Sequence, residues 1–500
     1  MKHLKYISAI LILAVSVMFT GCKDDYLDTL PTSDISDVTA YSSLENLQLI
    51  LNGVYRKMVS QDGSSQGLGG EPGYIVSRET LGDDLTWQTN TWHKTTHQWS
   101  AHRSATNSVT QFPWRYYYRW IMHANLVLEN IDQYETVNPA LHHGLKGEAL
   151  AIRAYAHFLL VQMYGARYQA GAANDQLGVP IKLTSSLDPL PRDPVAKVYE
   201  QINKDLDEAI PLLDGHKPAD AQTHITQVAA YGLKARVALT QQDYPAAAAA
   251  AHSALDAAKK QDYKLMEGNE LYNGFAKITE NTKEAVWAAR TKSDHTVYFY
   301  HFMAYMSWND NTTAIRQGVK AISLDTYEKM SPTDLRRKWW DPEGTRDDLV
   351  GSSFSSYVPY PGQVRKFRAV SQSDHVSDYA YMRIAEFYLV EAEALARQGK
   401  DAEAQAVLTE FAITRDPEYA PSNTGDALIE EIMTHRRIEL WGEGFRWFDL
   451  KRLNLPLDRK GSNFDVSFCA VMQVDAGDLR WQWAIPQEER DSNPHMVPND

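Results

Sequence analysis

The stretch LGDDLTWQTNTWHKTTHQW, residues 81–99, sets Trp87, Trp92 and Trp99 among Thr, Gln, Asn and Asp with almost no aliphatic neighbour. A core helix would surround such rings with Leu, Ile and Val, so two readings stand. The run is either an aromatic plug beneath a loop or a surface that holds a ligand, with Asp84, Gln88, Asn90, Thr91 and His93 as its polar groups. A second set of the same character follows later in the chain: Tyr298, Tyr300, Tyr305 and Trp308, then Asn309 and Asp310. Arg78, just before the first run, is a further polar candidate.

Other chemistries fit less well. His93 and His97 lie four residues apart, the spacing at which two imidazoles on one helical face share a metal. Zinc needs a third ligand; only Asp83 or Asp84 is near, and no glutamate follows as in metalloprotease helices. Hydrogen-bonded or exposed histidines are therefore expected, and no metal is assigned. Glu439 and Glu443 are spaced like a general acid and base. They stand among Arg436, Arg437, Arg446, Asp449 and Arg452, interleaved with Ile438, Leu440, Trp441, Phe445 and Phe448, a pattern of paired, partly buried ions that orient helices. GLGGEPG lacks the strand before it and the Lys-Ser/Thr after it that a phosphate loop requires, and there is no Gly-x-Ser-x-Gly elbow. No catalytic residue and no cofactor is assigned.

These side chains must be held by a helical frame, because helical periodicity dominates from Leu44 onward. GEALAIRAYAHFLLVQMYG carries Ala149, Ile152, Ala156, Leu159, Leu160 and Met163 on one stripe and stops at Gly165. In the next helix Asp193 is expected at the cap and Pro194 at the first helical position. Two alanine-rich helices follow from Ile225. A displacement of 157 positions superimposes a second pair on them, with Ala235 over Ala392, Gln242 over Gly399 and Ala247 over Ala404. Small residues at recurring positions allow close helix approach, as in tetratricopeptide-like pairs. The scaffold is expected mainly over residues 44–60, 111–265 and 376–455. A loop-rich lobe, dense in Gly, Ser, Tyr and Trp, is expected mainly over 61–110, 266–375 and 456–500, where a rigid frame would carry a binding surface.

The N-terminus supplies an address. Lys2 and Lys5, an apolar run from Ile7 to Phe19 and small residues before Cys22 read as a signal peptide over residues 1–21, too short to span a membrane. FTGC resembles a bacterial lipobox with Cys22 as the lipid-bearing residue, and residues 22–43 then form an anchored linker whose acidic start resembles surface-export sequences. Of two cysteines only Cys469 is left, so no intrachain disulfide staples the domain. A net charge of −14 without a basic cluster argues against nucleic acid and strongly anionic polymers as partners.

The C-terminal third resembles the SusD/RagB lipoproteins. YAYMRIAEFYLVEAEALARQG resembles their signature helix and RRIELWGEGFRWFDLKRLN their second, more specific signature; YLDTLPTSDIS, LNGVYRKM, SPTDLRRKWW and IPQEERDSNP match in the family's order. The resemblance implies a mostly α SusD-like fold with four tetratricopeptide-like helix pairs and an irregular ligand-binding lobe. It further implies a lipid-anchored, surface-exposed outer-membrane protein that caps a SusC-like TonB-dependent transporter and binds oligosaccharide without catalysis. In the RagB branch the cargo is peptide, which gives an alternative; a surface glycoside hydrolase is a weaker one. Family ligand-stacking aromatics come from the two regions above, so only regions carry over. Sugar rings offer apolar C–H faces and hydroxyls, which aromatic planes flanked by polar groups match. One such contact contributes on the order of 1 kcal/mol, so several must act together. The expected binding set is Arg78, Asp84, Trp87, Asn90, Trp92, His93, Trp99, Tyr298, Tyr300, Tyr305 and Trp308.

Overall fold

Helix-start residues and apolar spacing place the long elements. Ser43 accepts a hydrogen bond from the Asn46 N–H at 3.2 Å and so opens α1 (Leu44–Val59), whose buried stripe is Leu44, Leu47, Leu51, Val54, Tyr55 and Met58. In this computed structural model the described residues are 40–60, 69–89, 92–292, 302–310, 312–345, 358–371 and 377–499. The signal peptide, Cys22, most of the linker, Asn90, Tyr298 and Tyr300 lie outside them. The wholly buried α2 (Gly70–Thr80) precedes the tryptophan run. Asn107 caps α3 (Ser108–Asn130), and Asn138, with Pro139 in the first turn, caps α4 (Pro139–Tyr164), which ends at Gly165.

The start of α5 (Val195–Leu212) differs by one residue from its expected position. Pro194 occupies the cap, and the Asp193 carboxylate instead accepts from the Ile181 N–H at 2.8 Å. The Leu177–Pro194 bridge turns Asp193 toward the preceding loop rather than the helix.

Next come α6 (Gln227–Gln241) and α7 (Tyr244–Lys260), then α8 (Ile384–Ala396) and α9 (Asp401–Ala412), and finally α10 (Gly425–Glu439) and α11 (Arg446–Arg452). Four pairs result: α1 with α3, α4 with α5, α6 with α7 and α8 with α9. They are joined side by side through α3–α4, α5–α6 and α7–α8. The internal repeat is structural. Gln242 and Gly399 end equivalent helices in the left-handed conformation, at φ 60° and 73°, while Ala235, Ala392, Ala247 and Ala404 are all fully buried at helix contacts.

Short strands gather the loop-rich segments. β1 (Leu85–Thr86), β3 (Ala321–Ile322), β4 (Trp340–Asp341) and β5 (Gln363–Val364) form an antiparallel sheet in the order β1-β3-β5-β4, and β2 (Ala285–Ala289) pairs with β6 (Tyr379–Arg383). β1 belongs to the tryptophan run, so the sheet carries that run to segments more than 200 residues away. β6 continues directly into α8 and ties the lobe to the scaffold.

Candidate functional site

The sheet decides which aromatics are exposed. Pairing of Leu85 with Ile322 and Thr86 with Ala321 draws Trp87 inward, where it is 0 % exposed. The Lys320 ammonium sits 3.8 Å from its ring centroid, His97 and Phe468 flank it, and its indole N–H donates to the Thr89 carbonyl at 3.0 Å. Trp99, 3 % exposed, donates to the Leu81 carbonyl and meets Trp481 edge-on. For these two rings the plug reading holds, and the expectation of an exposed platform is corrected. Their apolar partners come from residues 464–481, so the local absence of Leu and Ile says nothing about burial.

Asp84 and Arg78 are corrected in the same way. Asp84 is buried and accepts from Arg437 and Thr326, with Arg446 beside it. Burial alone would raise its pKa, but the two guanidiniums hold it below the usual carboxylate range. Arg78 is buried against Glu71 at 2.9 Å and Tyr117 at 3.2 Å, far from any open face of the tryptophan run.

The two histidines diverge. His97 hydrogen-bonds the Thr80 carbonyl through Nδ1 at 2.8 Å and the Cys469 thiol through Nε2 at 3.2 Å, and burial depresses its pKa. His93, at φ 70°, starts the short helix Lys94–His97 and contacts Ser77 Oγ at 3.2 Å. Burial and then the Lys320 charge push its pKa down to about 3, so it is neutral at physiological pH. Their rings are committed to different neighbours.

The aromatics that keep an open face are Trp92 and Trp308, both half-buried. Trp92 and His93 meet the buried Tyr305 edge-on, at 6.2 and 5.1 Å between centroids. Tyr305 lies on the short helix Met303–Met306, and Trp308 follows it, held by its N–H on the Phe367 carbonyl. The guanidiniums of Arg365 and Arg368 lie 5.3 and 5.9 Å from the Trp308 ring, with Arg365 paired to Asp341 and Arg368 exposed. Asn309 is turned inward, its amide exchanging hydrogen bonds with the backbone of Ala369, and Asp310 accepts from the Thr312 N–H. Sequence reasoning missed Arg365 and Arg368. The alternating basic and apolar residues of VRKFR, residues 364–368, were the available signal for side chains that alternate across a sheet edge.

The C-terminal signature is structural. Glu439 ends α10 and accepts from Arg336, Arg383 and Arg415, while Glu443 accepts from Lys366 and Arg383. Burial would raise both pKa values, yet the surrounding cations hold both low, so neither retains a proton to give at neutral pH. The two carboxylates do not share a helical face, because Gly442 at φ 81° and Gly444 at φ 83° turn the chain between α10 and α11.

Comparison with known proteins gives the same architecture. A family model described as "Starch-binding associating with outer membrane" matches residues 25–239, and the SusD family model matches residues 246–500. SusD-like protein P38 of Formosa agariphila is 23 % identical, with 92 % of this chain and 94 % of that protein aligned. A SusD superfamily protein of Bacteroides thetaiotaomicron superimposes with a TM-score of 0.79 at 23 % identity, covering 92 % of this chain and all of that one. Surface glycan-binding protein A of the same organism, solved with laminarihexaose, superimposes with a TM-score of 0.67 at 17 % identity, over 91 % of this chain and 99 % of that one. With matching models along nearly its whole length and the helix-pair fold they describe, this chain belongs to the SusD family.

Proposed function

We propose that this protein captures short, neutral or weakly charged oligosaccharides at the face formed by Trp92 and Trp308, and passes them to a SusC-like TonB-dependent transporter. The observation that carries the reading is the pairing of open tryptophan faces with polar groups on the loop-rich lobe. Trp308 lies beside Arg365 and Arg368, and Trp92 lies beside His93. An aromatic plane meets the C–H face of a sugar while guanidinium N–H groups reach its hydroxyls. Tyr305 positions Trp92 from beneath; Asn90, Tyr298 and Tyr300 remain candidate contacts from the adjoining loops. Binding is non-covalent and no bond is broken. A solved neighbour that holds laminarihexaose makes β-glucan fragments the first ligands to try.

Calorimetry with a glycan panel that includes laminarihexaose, run beside peptide digests, tests the capture. Heat from glycans is expected; heat from peptides alone would replace this reading with peptide uptake. Release of reducing ends from polysaccharide by the purified protein would contradict a non-catalytic role. The address is tested separately: Cys22→Ala should move the protein out of the membrane fraction, and continued attachment would refute the lipid anchor.

A further inference from the structure

A second site lies away from the tryptophan face, where α2, α4, α6 and α11 meet. There a cavity of about 50 Å³ is lined by Arg78, Arg236, Arg436, Arg452, Phe445 and Phe448. That volume exceeds the roughly 10–15 Å³ that one water needs and falls far below the ~300 Å³ of a small organic-ligand pocket.

Most of the surrounding guanidinium hydrogens are engaged. Arg236 donates to Glu386 and the Tyr381 carbonyl; Arg452 donates to Glu393 and Asp449. Two are not. Arg78 uses Nη1 and Nη2 on Tyr117 and Glu71, and Arg436 uses Nε on Asp449. Arg78 Nε and Arg436 Nη1 are buried and have no acceptor among the described residues, and each side chain is only 4 % exposed. Charged donors left without an acceptor are costly in a protein interior.

The charges around the cavity do not cancel. Arg436, Arg452 and Arg397 share only Asp449 and Glu393, while Glu443 on the cavity wall is engaged by Arg383 and Lys366. One positive charge is left over beside the two free N–H groups. The guanidiniums are also fixed in orientation. Phe445 contacts both Arg236 and Arg436, at 5.0 and 5.2 Å, and Phe448 contacts Arg78 at 5.4 Å.

We propose that this cavity is a specific site for a monovalent inorganic anion of chloride size, held by Arg78 Nε–H and Arg436 Nη1–H. A water would satisfy the donors but leave the surplus charge; a halide does both. The bound anion would pin the turn before α11 against α2.

The test uses the full mature protein exchanged into sodium gluconate and titrated with chloride or bromide at constant ionic strength. A saturable rise in melting temperature of about 2–4 °C is expected, with no rise from the larger sulfate. Crystals grown in bromide should show an anomalous peak between Arg78 and Arg436, and Arg436→Gln should abolish the halide response. Equal melting in gluconate and chloride with no bromide peak would mean that the cavity holds only water and would overturn the proposal. So would a halide response that persists in Arg436→Gln. Should that variant fail to fold, the bromide peak in the unaltered protein decides.

Discussion

A tryptophan side chain in this protein has one of two roles, and substitution separates them. Trp92→Ala and Trp308→Ala each remove a half-exposed ring, so each should weaken glycan binding by about 1 kcal/mol, roughly fivefold, while the melting temperature stays nearly unchanged. Trp87→Ala and Trp99→Ala empty core sites and should lower unfolding free energy by about 3–5 kcal/mol. Calorimetry and denaturant unfolding on the four variants check both halves. Lys320 adds a pH signature. Burial pushes its pKa down to about 7, against roughly 10.4 in an unfolded chain. Below pH 7 both states carry the proton and the folded state bears the full desolvation cost. Between about 7 and 10 the unfolded state binds more protons, so this group makes stability rise with pH. Lys320→Met should flatten that rise and leave the protein at least as stable at pH 7, measured by urea unfolding across that range.

Among the elements, the turn between α10 and α11 is the most constrained. The Gly442 and Gly444 N–H groups donate to the two carboxylate oxygens of Glu79 on α2, at 3.0 and 2.9 Å, which locks the turn to the helix beneath it. At Gly442 a Cβ would be strained by φ 81° and would stand 2.5 Å from the Phe367 ring. At Gly399 a Cβ would meet only the φ 73° strain, because the space around it is open. Gly399→Ala is therefore expected to cost about 1–2 kcal/mol and Gly442→Ala roughly 2–5 kcal/mol, since overpacking adds to the backbone term. Thermal melting of the two variants ranks them; a larger loss at Gly399 would contradict the account. Gln242, the counterpart of Gly399, accepts the left-handed strain and gains a hydrogen bond from its side chain to the Arg452 carbonyl at 2.8 Å.

Across the whole molecule, buried ion pairs join lobe and scaffold. Glu439 from the scaffold receives Arg336 from the lobe, Arg383 from β6 and Arg415 from the loop after α9, and Glu284 beside β2 shares the last two. Removing one charge strands the others in the interior, so Glu439→Gln should lower stability by about 3–5 kcal/mol in chemical denaturation. Acid should act on the same class of groups. Burial would raise the Asp449 pKa, but Arg436 and Arg452 hold it at about 2. Its stabilising contribution is complete above an unfolded value near 3.9 and is lost as pH falls through about 2. Unfolding midpoints between pH 5 and 2 should decline, and Asp449→Asn should remove part of that decline.

Local interactions made much of this protein legible from its sequence. Helix periodicity, Asn138 with Pro139, the stop at Gly165 and the repeat that relates Gln242 to Gly399 depend on residues a few positions apart, and they located the helix pairs. The interleaved charges of residues 436–452 likewise marked buried ion pairs before any partner was known. Which aromatics face solvent was not legible, because that depends on strand pairing across distant segments. Trp87 is covered by Lys320 and Phe468, and Trp99 by Trp481, through contacts no sequence window contains. Arg78 and Asp84 were drawn inward for the same reason, by Glu71, Tyr117, Arg437 and Arg446. Composition and spacing could therefore mark the region of the candidate site, whereas the fold alone decided that Trp92 and Trp308 keep an open face, since burial is a property of the assembled surface and not of the neighbouring residues.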